Sequence, residues 1–177
     1  MMISYQELVR TFPNLISLEI QKQPLTDVFN NIFQELYLTG KKGENLGKFL
    51  TPNRLSEAIC RFVGWEKNIK YNVGDICAGT GSLLFPLLRE IYSKEGFEGV
   101  QKIKLIYNDI DSLMAQLFMA QILTNMAYHN LDFKSLHVYI GNAITEYDTV
   151  STLFLRFKQN KLVAQRVLEI DKEKKAA

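Results

Sequence analysis

Residues 75–82, DICAGTGS, lie between a short apolar stretch and an amphipathic one, so a glycine turn joins a strand to a helix. The same alternation continues downstream. Residues 69–75 read as a strand ending at Asp75, and a helix follows over about 82–94. IKLIYND at 103–109 is the clearest strand. Residues 111–126, capped by Asp111, are the clearest helix, and LHVYI at 136–140 is a third strand. Strand, helix, strand, helix, strand at this spacing predicts an α/β fold with a mostly parallel sheet. Right-handed crossovers then bring the C-terminal ends of the strands to one edge, where ligands bind.

The flanks are less regular. Residues 4–11 suggest a short helix. Residues 24–38 form an amphipathic one on Leu25, Val28, Phe29, Ile32, Phe33 and Leu36, started by Thr26 or Asp27. TGKKGENLGK at 39–48 reads as a flexible loop and places a boundary between a helical preface (1–46) and the main α/β domain (47–177). Asn53 or Ser56 then starts a helix whose apolar face is Leu55, Ile59, Phe62 and Val63. At the end, STLFLRF and LVAQRVLEI flank KQNK as a β-hairpin, and a helix over 160–174 is the competing reading of the second arm.

Bulk properties exclude several classes. A net charge of +2 and a pI near 8.4 give no strong nucleic-acid signature, although a local basic face is compatible with them. Cys60 and Cys77 are too few for a disulfide scaffold and match no metal spacing, which favours reduced thiols. The start MMISYQELVRTF has no signal-peptide pattern, and no apolar run reaches the roughly 18 residues of a membrane span. A cytoplasmic protein with no membrane partner is expected.

Gly79 and Gly81 let the backbone turn tightly and approach a ligand, and the helix start behind them is expected to offer free N–H groups. No lysine follows Gly81, and residue 84 is Leu, so neither the P-loop nor the dinucleotide fingerprint is met. The alternative is a bare turn, but an acidic residue just before the loop favours a ligand with a cationic group. Asp109, ending the second strand, stands where doubly wound folds hold a ribose diol. Asn142, after the third strand, has the groups to pair with an adenine edge, or simply to make a turn. His129 and His137 are read as structural. Lys41, Lys42 and Lys48 are read as a solvated loop, with phosphate contact as the alternative.

With these elements in order, and Gly47, Phe49, Thr51 and Pro52 upstream, residues 40–145 resemble N6-adenine DNA methyltransferases. The modification subunits of type I restriction systems are the nearest type. The resemblance implies a Rossmann-like methyltransferase fold that binds S-adenosylmethionine. The segment with Phe49, Thr51 and Pro52 is similar to the family's G-x-[FY]-x-T-P, which helps hold the methionine part. Asp75, Cys77, Gly79, Thr80 and Gly81 are similar to its glycine loop, and Asp109 to its acidic residue after the second strand. Its glycine-aspartate pair becomes Gly141-Asn142, which keeps an oxygen and loses the charge.

The resemblance also exposes a gap. Family members grip a flipped adenine with [N/D]-P-P-[FYW], whose acidic or amide side chain and first proline carbonyl accept from the amino group. The prolines here are Pro13, Pro24, Pro52 and Pro86, none adjacent. If Tyr147-Asp148 approaches the fourth strand, the slot falls near Leu153-Phe154-Leu155-Arg156, where no residue replaces the acceptor. The target-recognition region is expected beyond the end of the chain. The first expectation is therefore a cofactor-binding, methyltransferase-like protein without independent base methylation, with DNA and a second protein subunit as partners. An active methyltransferase on another acceptor, or with a partner supplying the missing half, is the second. A non-enzymatic interaction module retaining the fold is the third.

Overall fold

The structure is a computed structural model and describes residues 16–30, 32, 51–63, 71–146 and 152–159. The expected helix at 4–11, the lysine-rich loop at 39–48, Phe49, Tyr147-Asp148 and the second arm of the C-terminal hairpin lie outside those residues. Residues 16–22 form a helix, α1, that the sequence reading did not anticipate. The next helix, α2, starts at 28 rather than 24. Residues 23–27 turn instead, with Leu25 at φ 59°, and Asp27 caps the helix by accepting from the Asn30 N–H at 3.1 Å.

Helix α3 spans Asn53–Val63. Its expected apolar face is turned outward: Leu55, Ile59 and Phe62 are 51%, 37% and 93% exposed. Ser56 and Cys60 are buried instead. Both are small and bonded, Ser56 Oγ to the Pro52 carbonyl and Cys60 Sγ to the Leu83 carbonyl, so α3 lies close against the start of the following helix.

The sheet holds β1 (Asn72–Asp75), β2 (Lys104–Asp109), β3 (Ser135–Ile140) and β4 (Leu153–Lys158), in spatial order β1-β2-β3-β4. The first three are parallel, with Val73 beside Leu105 and Leu105 beside Leu136. This is the α/β, Rossmann-like arrangement expected from the alternation. The crossover helices are α4 (Leu84–Gln101) and α5 (Ser112–His129). Helix α4 outruns its expected end at 94 because the chain kinks at Gly96, φ 64°, and resumes helical turns. Asp111 caps α5 as expected, accepting from the Leu113 N–H at 2.9 Å. The first arm of the expected hairpin is β4, and it pairs antiparallel with β3.

Leu84, Phe85, Leu88 and Ile91 of α4 meet Leu105, Phe118, Ile122, Leu136 and Val138 in one buried core. At roughly 1.5–3 kcal/mol per buried large side chain, this cluster supplies the main driving force that fixes the strand ends. A smaller cluster, Ile16, Ile20, Val28 and Phe29, packs against Leu117 of α5. No helix among the described residues is long and apolar enough to cross a membrane.

Candidate functional site

The C-terminal ends of β1, β2 and β3 share one edge, and the glycine loop lies on it. Gly79 and Gly81 take φ of 56° and 97°, the left-handed region where other residues are strained. At Gly81 there is no room either: a Cβ would lie 2.7 Å from Phe118 and 2.9 Å from Phe85.

The loop is held by its neighbours. Asp109 Oδ2 accepts from the Gly79 N–H at 2.7 Å, and Asp109 Oδ1 from the Asp111 N–H at 2.8 Å. The Tyr107 hydroxyl donates to the Gly79 carbonyl at 2.6 Å while its ring stacks on Phe118 at 4.2 Å. Asn108, buried, donates to the carbonyls of Ile76 and Gly141, joining the turns after β1 and β3 across β2. Asp75 Oδ1 accepts from the Cys77 N–H at 3.0 Å.

Four N–H groups of the loop itself are bonded within the protein. Cys77 donates to Asp75, Ala78 to the Asn108 carbonyl, Gly79 to Asp109 and Gly81 to the Ala78 carbonyl. A phosphate cradle needs such donors unspent. What faces the loop is carboxylate. Burial raises the Asp75 carboxyl above its ordinary range, against the pull of the Cys77 N–H, and the nearby Asp109 charge adds to the rise. Burial, and then the charges of Asp109, Asp75, Asp111 and Asp27, raise the Tyr107 phenol, so it stays a donor.

The other expected site residues take varied places. Thr51 is half-buried and its carbonyl accepts from Asn30 Nδ2 at 2.8 Å. Pro52 is exposed and its carbonyl starts α3 by accepting from the Ser56 N–H at 2.9 Å. Cys77 is exposed and both thiols are free. Thr80 is fully buried and donates its hydroxyl to Asp27 Oδ2 at 2.9 Å, away from the open side of the loop. Asn142 Oδ1 accepts from the N–H groups of Ile144 and Thr145 at 2.9 and 3.4 Å, making a turn. His129 bonds the Ile20 carbonyl and His137 lies in β3 beside Arg156, both structural positions. The proposed slot at Leu153–Arg156 falls in the body of β4, on the far side of β3 from β1.

Sequence reasoning missed the apolar rim. Ile76, Ile110 and Ile144 follow β1, β2 and β3 and are 51%, 71% and 93% exposed. Their signal was present: each is a large aliphatic residue one to four positions past a strand end, where turns are ordinarily polar. It also missed Asn108, whose role depends on two carbonyls more than 30 residues away.

Residues 21–167 match the family described as N-6 DNA Methylase. A curated relative, the type I restriction enzyme MpnII methylase subunit of Mycoplasma pneumoniae, is 23% identical over 142 residues, which cover 79% of this chain and 24% of that protein. A solved structure from Vibrio vulnificus, described as a modification subunit of a type I restriction enzyme, aligns with TM-score 0.48 and 16% identity over 80% of this chain and 25% of that one. The chain thus spans about a quarter of the length of these relatives. With the family match extending over most of its length, the chain belongs to the N-6 DNA methylase family.

Proposed function

We propose that the glycine-loop edge binds S-adenosylmethionine and that these residues are the cofactor-holding part of an N6-adenine DNA methyltransferase. The observation that carries the reading is the pair of carboxylates, Asp75 and Asp109, set at the loop beside four N–H groups bonded within the protein. That arrangement disfavours phosphate and suits a ligand with sulfonium and ammonium charges. The rim of Ile76, Ile110 and Ile144 adds apolar surface suited to a nucleoside. Asp109 spends one acceptor site per oxygen on the backbone, and a carboxylate has about four, so a ribose diol can still be received. When bound, the cofactor would supply the methyl group.

The 177 residues contain no adjacent prolines, so in this reading another polypeptide segment grips the target base, and these residues do not methylate DNA unaided. DNA and a second subunit are the partners this reading implies. A fold kept only for interaction is the second reading, favoured by the exposed stripe Leu55, Ile59 and Phe62 on α3.

Thermal or chemical unfolding with and without S-adenosylmethionine separates the two. Ligand at 100 times its Kd stabilises by about 2.7 kcal/mol. Asp109→Asn, which sets an amide donor against one of the two backbone N–H groups the carboxylate accepts, is expected to loosen the loop and weaken binding by about 1–3 kcal/mol, the scale of a hydrogen bond to a charged group. No stabilisation at millimolar cofactor rejects the binding reading.

A further inference from the structure

Two buried polar side chains in the N-terminal segment are more than a helix start requires. Asp27 is 3% exposed and Asn30 is fully buried. Asp27 divides its carboxylate: Oδ1 caps α2 through the Asn30 N–H, and Oδ2 accepts from the Thr80 hydroxyl in the glycine loop. Asn30 Nδ2 reaches the other way, donating to the Thr51 carbonyl and to Asn53 Oδ1. One turn of backbone therefore touches both the threonine-proline segment and the glycine loop, which are 29 residues apart between Thr51 and Thr80.

The turn is itself anchored. Gln121 Oε1 accepts from the N–H groups of Val28 and Phe29 at 2.6 and 3.2 Å, while Gln121 Nε2 donates to the Thr80 carbonyl at 3.2 Å. Asn125 Oδ1 accepts from the Leu25 N–H at 2.6 Å. Thr80 is thus held at its hydroxyl by Asp27 and at its carbonyl by Gln121, and both partners converge on residues 27–29. A serine or threonine would cap α2 without burying a charge. The two oxygens of the Asp27 carboxylate let one side chain cap the helix and accept from Thr80 together.

We propose that Asp27 and Asn30 are positioning residues that lock the threonine-proline segment and the glycine loop into one register, so that loosening either bond shifts both. The importance of that register to the cofactor rests on the function proposed above; the mechanical joint does not.

The test pairs two measurements on the same 177-residue protein. Hydrogen exchange reads the Ser56 amide, bonded to Pro52, and the Gly81 amide, bonded to Ala78. Asn30→Ala removes the bond to Thr51, yet it is expected to speed exchange at Gly81 as well as Ser56. Asp27→Ala is expected to speed Ser56 as well as Gly81, each by about tenfold, the scale of one lost hydrogen bond. Calorimetry with S-adenosylmethionine should then show affinity reduced about tenfold or more in both variants at a temperature where they remain folded. Asp27→Asn, which keeps the cap and can donate its amide to the Thr80 hydroxyl in place of accepting from it, should lose less affinity than Asp27→Ala. Val28→Ala, which loosens the same helix from α5 and touches neither joint bond, should lose stability and keep affinity.

If Asp27→Ala does not fold, Thr80→Val breaks the same bond from the loop side and is judged identically. Exchange that changes only on the side of the substituted residue overturns the joint. So does a loss of affinity in Val28→Ala equal to that in Asn30→Ala. If the parent protein binds no cofactor, the functional reading falls, and the cross-effects in exchange alone decide the joint.

Discussion

The turns after β1 and β3 leave the same edge of the sheet and are built in opposite ways. The glycine loop is gripped from behind at Gly79 by Asp109 and Tyr107, and at Thr80 by Asp27 and Gln121. The turn after β3 is fixed at its root, where Asn108 donates to the Gly141 carbonyl and the Gly141 N–H donates to the Asp109 carbonyl; further out, bonds join Asn142, Ile144, Thr145 and Glu146, and the Thr152 hydroxyl donates to the Glu146 carbonyl. Ile144 at its tip is 93% exposed. The first loop has its shape before any ligand arrives, which is what tight binding without ordering losses requires. The second is tied at its two ends, to β2 and to Thr152, and is exposed at its tip. The glycine loop is therefore tied into the fold along its length, while the β3 turn is tied at its ends and open at its tip.

The largest effect that would sharpen this contrast is expected from Gly81→Val. Its positive φ and the closeness of Phe118 and Phe85 combine backbone strain with overpacking. Together these should cost about 3 kcal/mol or more in urea unfolding and remove cofactor stabilisation. A variant of parental stability would show that the loop is not held as described.

An intermediate effect concerns pH. Burial pushes the Asp27 carboxyl up from 3.8 to about 6, against bonds from Thr80, Gln121, Asn30 and Phe29 that favour the charged form. A raised carboxyl stabilises the fold most below its unfolded value, and that contribution is lost as pH rises from about 3.8 through about 6. Asp27→Asn, always neutral, should flatten this window. Across it the stability difference between the two proteins should change by up to the roughly 1.4 kcal/mol per pH unit that linkage allows, in favour of Asn at the higher pH. Equal pH profiles for the two proteins would mean that the carboxylate is solvated and the loop less firmly backed.

The smallest effects belong to the β3 turn. Asn142→Ala should lose about 1 kcal/mol or less with its turn bonds, and Ile144→Ser should stay within about 0.5 kcal/mol. Either variant losing more than about 2 kcal/mol would place this turn in the core and erase the contrast.

The parallel β-α-β-α-β order was legible because strand and helix periods are local, as with IKLIYND and the Asp111-capped helix. The glycine loop was legible for the same reason, since its residues are contiguous. Helix α3 was misread because Leu55, Ile59 and Phe62 keep helical spacing while small bonded residues, Ser56 and Cys60, make the closer contact. The partners of Thr80 were not legible at all: Asp27 lies 53 residues before it and Gln121 lies 41 after it. Hydrogen bonds at such separations leave no periodic trace in a sequence. The same holds for Asn142, whose side chain suits a turn and a ligand equally until its neighbours are seen.

Strand order equals chain order, and this bears on how the protein is made. Each strand lies beside the one synthesised just before it, so the sheet can widen by one strand at a time as the chain leaves the ribosome. The N-terminal segment follows a different schedule. Val28 emerges 93 residues ahead of the Gln121 side chain that binds it. At synthesis rates of about 5–20 residues per second, that is a wait of roughly 5–20 s. Ile20, Val28 and Phe29 lack their α5 partner through that interval, which makes this segment a natural place for a chaperone to act.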